Sequence, residues 1–336
     1  MVGASVVTVA YNSGDSLTRL LDSLAGQDGL AETIVVDNGD PGPEIEAARA
    51  RDGVRVVEPG RNLGFAGGSN AGAAEAGGDV LVFLNPDTVA ADGAIAALAA
   101  AAREPEIGVA MARLRLLDEP ELLNSGGNVV HVSGLAWAGG YRDPADAVER
   151  RTDVPYASGA AMAIRAELFH ELGGFCEELF MYQEDLELAW RTRLLGLRVV
   201  VEPAADVYHE YDFGRHRDKH YLLERNRLIF VLTAYSPRLL AALAPVLVVA
   251  ELGLAALAVR EGWARDKAAG WAWIARHPRW VMRRRRETQA LRRVRDRDVA
   301  RYLTPLLDPK MIELPSVGRI ANPLLQVYWR AARKVL

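Results

Sequence analysis

A doubly wound α/β fold with a mostly parallel sheet, followed by a C-terminal helical appendage, is the architecture this sequence predicts. Three observations predict it. Short β-branched runs alternate with helical stretches over about the first hundred residues, the rhythm of βαβ units. Two of those runs close on an acid, Asp37 and Asp87, at the strand ends where such sheets bind ligands. Beyond about residue 235 the strand runs stop, and an apolar stretch gives way to an arginine-rich one.

Residues 5–10 (SVVTVA) read as a buried strand, and 13–27 as a helix with Leu17, Leu20, Leu21 and Leu24 on one face. Residues 33–36 form the next strand, closed by Asp37-Asn38-Gly39. A helix is expected over 43–51 and a third strand over 54–57. The glycine-rich stretch RNLGFAGGSNAG then feeds a helix to about residue 76. Residues 80–84 make the fourth strand, ending in Asn85-Pro86-Asp87, with a helix following to residue 103. In the second half, strands are expected over 109–117, 128–137, 160–164 and 198–201. Helices are expected over 165–172 and 184–195.

The tail changes character. Residues 239–259 are apolar except for Glu251, long enough to span a bilayer. Seven alanines, Pro245, Glu251 and Gly253 argue instead for an interfacial or packed helix, since a central ionised group costs about 3 kcal/mol on insertion scales. Residues 276–301 carry eleven arginines against Glu287, Asp296 and Asp298. With Trp263, Trp271, Trp273 and Trp280 this composition suits an anionic membrane surface. Single-stranded nucleic acid is the other anionic partner weighed, but no nucleic-acid module accompanies it. A solvated helix face is the plainer reading of the same charges.

The chain has 336 residues, half of them hydrophobic and a quarter charged, with a net charge of −4. That suffices for one large domain with an appendage. Cys176 is the only cysteine, which excludes an intrachain disulfide or a thiolate metal cluster and fits a reducing compartment. The early strand at 5–10 leaves no room for a secretory leader.

Each chemical candidate has a plainer alternative. Asp37 can accept hydrogen bonds from a base or sugar, or simply close an Asx turn with Asn38-Gly39. Asp87 is a hard oxygen ligand for Mg²⁺ or Mn²⁺, or a cap for the alanine-rich helix after it. Asp185 beside Glu184 can be a base whose pKa a neighbouring carboxylate raises, or first-turn acid against the helix dipole. Arg191 is spaced to pair with Glu187 at i,i+4, a structural role. His209 follows the last strand and groups in sequence with His216 and His220, which favours a ligand role.

Order and spacing carry more than any single residue. Tyr11-Asn12, VVDNGD, RNLGFAGGSNAG, FLNPD, SGAAMAIRAELFHELGGFCEELFMYQEDLELAWRTRLLG and PAADVYH follow one another over residues 4–230. The series resembles glycosyltransferase family 2, in its rhamnosyltransferase-like branch. The resemblance implies a Rossmann-like GT-A fold and inversion at the anomeric centre. It places residues 1–110 as the nucleotide-sugar half, 111–235 as the acceptor and catalytic half, and 236–336 as a helical basic tail. It implies Asp185 as catalytic base and Asp87 with His209 as metal ligands. Tyr11, Asn12, Asp37, Arg61, Asn62, Gly64, Asn70 and Asn85 are implied on the donor, and Glu184, Gly159 and Arg191 on the acceptor side. The chain departs from the family at Asn85-Pro86, at Cys176 after Gly-Gly-Phe and at Glu187, positions where relatives carry Asp.

The function expected is metal-dependent transfer of rhamnose or another hexose from a dTDP- or UDP-linked donor. The acceptor expected is a glycan or polyprenyl-linked glycan of a bacterial cell-surface polysaccharide, at the cytoplasmic face of the membrane. Two other classes remain open here. A nucleotidyltransferase should show a basic, glycine-rich loop after the first strand, where this chain has Tyr11-Asn12-Ser13-Gly14-Asp15. A non-catalytic membrane scaffold would follow if Asn85-Pro86-Asp87 no longer held metal.

Overall fold

The computed structural model describes residues 3–39, 42–211, 219–308, 310 and 316–336, the side chains of 316–320 excepted. His216 lies outside the described residues. The first half builds β1 (Ala4–Ala10), α1 (Asp15–Leu24), β2 (Leu30–Asp37), α2 (Pro43–Arg49), β3 (Val54–Val57), α3 (Gly64–Ala74) and β4 (Val80–Leu84). Then come β5 (Thr88–Ala90), α4 (Ala94–Arg103), β6 (Ile107–Leu116), β7 (Leu123–Ser125), β8 (Asn128–His131), β9 (Ala136–Ala138), β10 (Thr152–Asp153) and β11 (Ala161–Arg165). Short α5 (Ala166–Glu171) leads to α6 (Glu184–Leu194) and β12 (Arg198–His209). Helices α7 (Lys219–Ala234), α8 (Pro237–Glu261), α9 (Ala264–Arg276), α10 (Pro278–Ala290) and α11 (Asp296–Ala300) follow, then β13 (Leu303–Thr304) and α12 (Ser316–Ala332).

The chain divides into two compact units. The first holds residues 1–128, 138–192 and 197–212; the second holds 129–137, 193–196 and 213–336. The sequence breaks at 110 and 235 fall elsewhere, inside β6 and between α7 and α8.

In the first unit the sheet runs β10-β12-β6-β11-β4-β1-β2-β3, with β5 on β12 and β7 on β6. The β3-β2-β1-β4 block is parallel, as is β12 on β6, while β11 runs antiparallel between them. The central strands β1 and β4 are buried along their whole length, as strands covered on both faces are. On one face Leu17 and Leu21 of α1 join Ile45 and Ala48 of α2 against Ala10 and Val35. Helix α3 lies close on the sheet. A Cβ on Gly72 would stand 2.5 Å from Cγ1 of Val7 and 2.9 Å from Cγ2 of Val36, so only glycine seats that helix on β1 and β2.

Three expectations change. Asp87 does not cap a helix, because the chain first forms β5 and α4 begins only at Ala94. The last strand is far longer than 198–201: β12 runs on to His209 alongside β6, through a register shift between Glu202 and Asp206. That irregularity, with Pro203-Ala204 in it, hid the continuation. The strand expected over 128–137 is two, β8 and β9, because the chain turns between them with Gly134 at φ +82°.

The second unit holds the sheet β13-β8-β9 and the C-terminal helices. Helix α8 starts on Ser236, whose Oγ accepts from the Leu239 N–H, with Pro237 in its first turn. It stops at Gly262, φ +85°, the usual left-handed end. Glu251 does not interrupt it, because Glu251 faces a buried ion cluster. Arg227 of α7 pairs with Glu224 (3.0 Å) and Glu251, and Lys267 of α9 pairs with Glu224 and Glu251 (3.2 Å). The Trp271 indole N–H donates to Glu251 at 3.0 Å. The cations hold Glu224 and Glu251 below the ordinary carboxylate range even though burial pushes the other way.

Part of the arginine run is also internal. Arg285 and Gln289 of α10 donate to the last carbonyls of α7, at Leu232, Thr233, Ala234 and Tyr235. They close orphan acceptors at a helix end. Arg283, Arg295 and Arg297 remain exposed.

Candidate functional site

The site lies in the first unit, at the carboxyl end of the parallel strands. Ala10 and Asp37 pair at the ends of β1 and β2. Asp37 Oδ1 accepts from the Gly39 N–H at 3.2 Å. Beside it the buried Asn38 ties the strand end to the glycine-rich turn. Its Nδ2 donates to Asn62 Oδ1 (2.8 Å), and its Oδ1 accepts from the Leu63 N–H (2.7 Å). Asn62 Oδ1 also accepts from the Gly64 N–H. Gly64 has φ +68°, and a Cβ there would stand 2.4 Å from the Phe180 carbonyl. That carbonyl accepts from the Ala66 N–H. The expected donor loop is therefore bonded to the segment that precedes the acidic pair. Tyr11 is exposed, Asn12 has φ +51°, and Arg61 is exposed at the same strand ends.

From β4 the chain turns through Asn85, whose N–H donates to the Ala160 carbonyl and whose carbonyl accepts from Thr88. Thr88 of β5 pairs in register with His209 of β12. This pairing brings Asp87 to His209, with Oδ1 of Asp87 3.3 Å from Nε2. The other ring nitrogen is engaged as well: Nδ1–H donates to Oδ1 of the buried Asn124 at 3.0 Å. With Nδ1 held by Asn124, Nε2 faces the Asp87 carboxylate, and a second contact of this kind is what orients a metal-ligating histidine. Among the described residues no group of three or more His, Cys, Asp or Glu side chains could hold a metal, so this pair would need oxygens from a ligand to complete a coordination sphere. His220 belongs to the second unit, stacked on Trp263.

One residue before Ala160, Gly159 donates its N–H to Asp185 Oδ2 at 3.0 Å. The Leu186 N–H donates to Oδ1 at 2.7 Å. The turn that carries Asp87 and the Asp185 carboxylate are therefore anchored on adjacent residues, Ala160 and Gly159. Burial pushes the Asp185 carboxyl up to about 6, against the pull of those N–H donors. Burial and the Asp185 charge push buried Glu184 well above the carboxylate range, and its Oε2 has no hydrogen-bond partner. Of the pair, Asp185 is held lower, by the backbone N–H groups it accepts from. Burial, then the Asp185 charge, raises the phenol of buried Tyr156. Phe180, Tyr182 and Gln183 all have left-handed backbones, at φ 65°, 67° and 65°. Such strain is held only by well-determined surroundings.

Two expected residues stand elsewhere. Asn70 clamps the Gly-Gly-Phe turn: Nδ2 donates to the Phe175 carbonyl (2.9 Å), and Oδ1 accepts from the Phe175 N–H (2.8 Å). Arg191 is buried, paired with Glu187 at 2.8 Å, and donates to the Leu172 and Gly174 carbonyls. Both brace the Gly-Gly-Phe turn. Asn38, Asn124 and Tyr156 were missed. Only Asn38 carried a signal, in its Asp-Asn-Gly turn.

The family model described as glycosyl transferase family 2 matches residues 5–173. An N-acetylglucosaminyl-diphospho-decaprenol L-rhamnosyltransferase of Mycobacterium tuberculosis is 30% identical over 239 residues, covering 63% of this chain and 78% of that protein. The low-salt glycan biosynthesis hexosyltransferase Agl10 of Haloferax volcanii is 25% identical over 239 residues, covering 67% of this chain and 74% of that protein. Among solved structures, GalNAc-T7 with UDP, GalNAc and Mn²⁺ superposes with a TM-score of 0.61 at 20% identity. The match covers 72% of this chain and 50% of that one.

Proposed function

The chain belongs to glycosyltransferase family 2, and from that membership we propose that it transfers rhamnose or another hexose from a nucleotide-diphosphate donor to a lipid-linked or polymeric glycan. Its fold is GT-A, and it is a glycosyltransferase of cell-surface glycan synthesis. The observation that carries the mechanism is Asp185. It is a carboxylate held by two backbone N–H groups, with a pKa near that of a useful base.

Asp185 takes the acceptor hydroxyl proton as that oxygen bonds to the anomeric carbon. The bond from that carbon to the donor diphosphate breaks on the opposite face, so the configuration inverts. Asp185 then holds the proton and the nucleoside diphosphate leaves. Asp37, Asn62, Arg61 and the Gly64 turn are the proposed donor contacts, with Tyr11, Asn12 and Asn85 at the neighbouring strand ends. Gly159 holds the base from the acceptor side.

Asp87 and His209 fit a divalent cation. They offer one hard oxygen and one oriented imidazole, and lack the further ligands a closed protein site would supply. When bound, Mg²⁺ or Mn²⁺ would neutralise charge on the departing diphosphate. The relative that carries the name of a decaprenol-linked substrate supports a polyprenyl-linked acceptor, reached by peripheral attachment at the cytoplasmic face of the membrane.

Thermal-shift titration with dTDP-rhamnose and UDP-hexoses, with and without Mn²⁺, tests the donor. Transfer to a polyprenyl-diphosphate glycan tests the reaction. A stabilising nucleotide sugar together with transferred hexose is the expected result. Failure of every donor, with Mn²⁺ present, would remove the proposal.

A further inference from the structure

We propose that α8 and α12 form a monotopic seat for an anionic lipid leaflet, α8 lying along the surface and not crossing it. The inference rests on the peripheral attachment proposed above and assigns the surface that makes it. Its first support is the outer face of α8. Pro245, Val248, Val249, Leu252, Ala256 and Val259 all lie exposed on it. Val248, Val249, Leu252 and Val259 are 59%, 68%, 67% and 72% exposed. No charged side chain breaks this face between residues 239 and 259, because Glu251, the one ion there, turns to Arg227 and Lys267. A water-facing helix face normally carries charge, and a large bare apolar patch marks an interaction surface.

A crossing does not fit the packing. Glu251 sits near the middle of α8 and touches α7 and α9 there, through Arg227, Lys267 and Trp271. A bilayer around α8 would have to admit those polar helices too. The opposite face of α8 already packs on protein through Leu239, Leu243, Val246 and Ala258. One apolar face on protein and one bare is the arrangement of a helix lying in the interface.

Helix α12 supplies the charge. It joins α8 through the Tyr328 hydroxyl, which donates to the Ala242 carbonyl at 2.7 Å. Leu324 and Val327 are 75% and 67% exposed. Arg330, Arg333 and Lys334 are exposed beside them, and residues 316–336 contain no Asp or Glu. Apolar residues rimmed only by cations complement anionic headgroups over hydrocarbon. A second copy of the chain suits this face less well, since a two-fold contact would oppose one cationic rim to another.

The test is co-sedimentation of the full chain with vesicles of phosphatidylcholine containing a third phosphatidylglycerol, and with phosphatidylcholine alone. Binding to the anionic vesicles that weakens with salt is expected. The triple variant V248E/V249E/L252E should stay in the supernatant. R330Q/R333Q/K334Q should bind about a hundredfold more weakly, at about fivefold per cation. All these positions are exposed, so circular-dichroism melts should match wild type. Hydrolysis of a nucleotide sugar in solution is read on each variant. Lost vesicle binding with intact hydrolysis in the triple variant supports the seat. No vesicle binding by the wild-type chain, or unchanged binding by V248E/V249E/L252E, overturns it while leaving glycosyl transfer standing. A lipid-free dimer that the same variant dissolves, without vesicle binding, also overturns it, in favour of self-association.

Discussion

Asp185 sets what a titration of this enzyme should look like. Its folded pKa is raised, so the base form is lost as pH falls through about 6. The rate constant kcat/KM is expected to fall about tenfold per pH unit below that point. Asp185→Asn should lower turnover by roughly 10² or more with donor affinity little changed. The same shift has a stability consequence of opposite sign. An acid whose pKa is raised on folding favours the fold when protonated, below its unfolded value, and that advantage disappears as pH rises through about 6. Asp185→Asn should therefore melt higher than wild type at pH 8, with the difference gone near pH 3. Calorimetry at the two pH values checks this; a variant that melts lower at pH 8 would contradict it. Asn124 gives a second test. Asn124→Ala frees the His209 ring without removing a ligand and should weaken Mn²⁺ binding by about 10- to 100-fold in a calorimetric titration with nucleoside diphosphate present. The acids of this site were legible in sequence because each sits at a strand end or helix start. Asn124 was not, because a lone asparagine in the three-residue strand β7 has no periodicity or spacing to reveal a partner far along the chain.

At the scale of elements, the parallel half was legible and the long β12 was not. The runs of β1, β2 and β4 are short, β-branched and bounded by turns, so hydrophobic pattern alone locates them. Strand β12 contains Pro203 and two alanines where the pattern breaks, and its pairing with β6, β5 and β10 makes it a strand. Helix α3 shows tertiary packing overriding propensity. Its glycines disfavour helix in isolation, yet they are what allow it to lie on β1. Gly72→Val should lower stability by about 1–3 kcal/mol through overpacking against Val7 and Val36. Urea denaturation measures it, and an unchanged midpoint would show that α3 can shift outward.

At the scale of the whole chain, the tail is not a removable appendage. Glu224 and Arg227 of α7 are buried against Glu251 and Lys267, and α10 closes the end of α7. A chain ending at residue 235 keeps the Glu224–Arg227 pair but loses Glu251 and Lys267 from around it, and stripping a partner from a buried ion costs on the order of 3–5 kcal/mol. It should be poorly soluble and show reduced helicity, measured by circular dichroism against the full chain. Composition marked this region as apolar and basic, but not which charges pair inward. That depends on helix packing, which residue counts do not encode.

The register that joins Thr88 to His209 also imposes an order on biosynthesis. Asp87 leaves the ribosome well before His209, and the two side chains meet only once β12 lies beside β5 and β6. A nascent or nicked chain that has folded only its first four strands can therefore display Asp37 and the glycine-rich turn, yet holds no completed pair. The hold on a cation and its sugar nucleotide proposed for this pair is then withheld until the last strand of that sheet is in place.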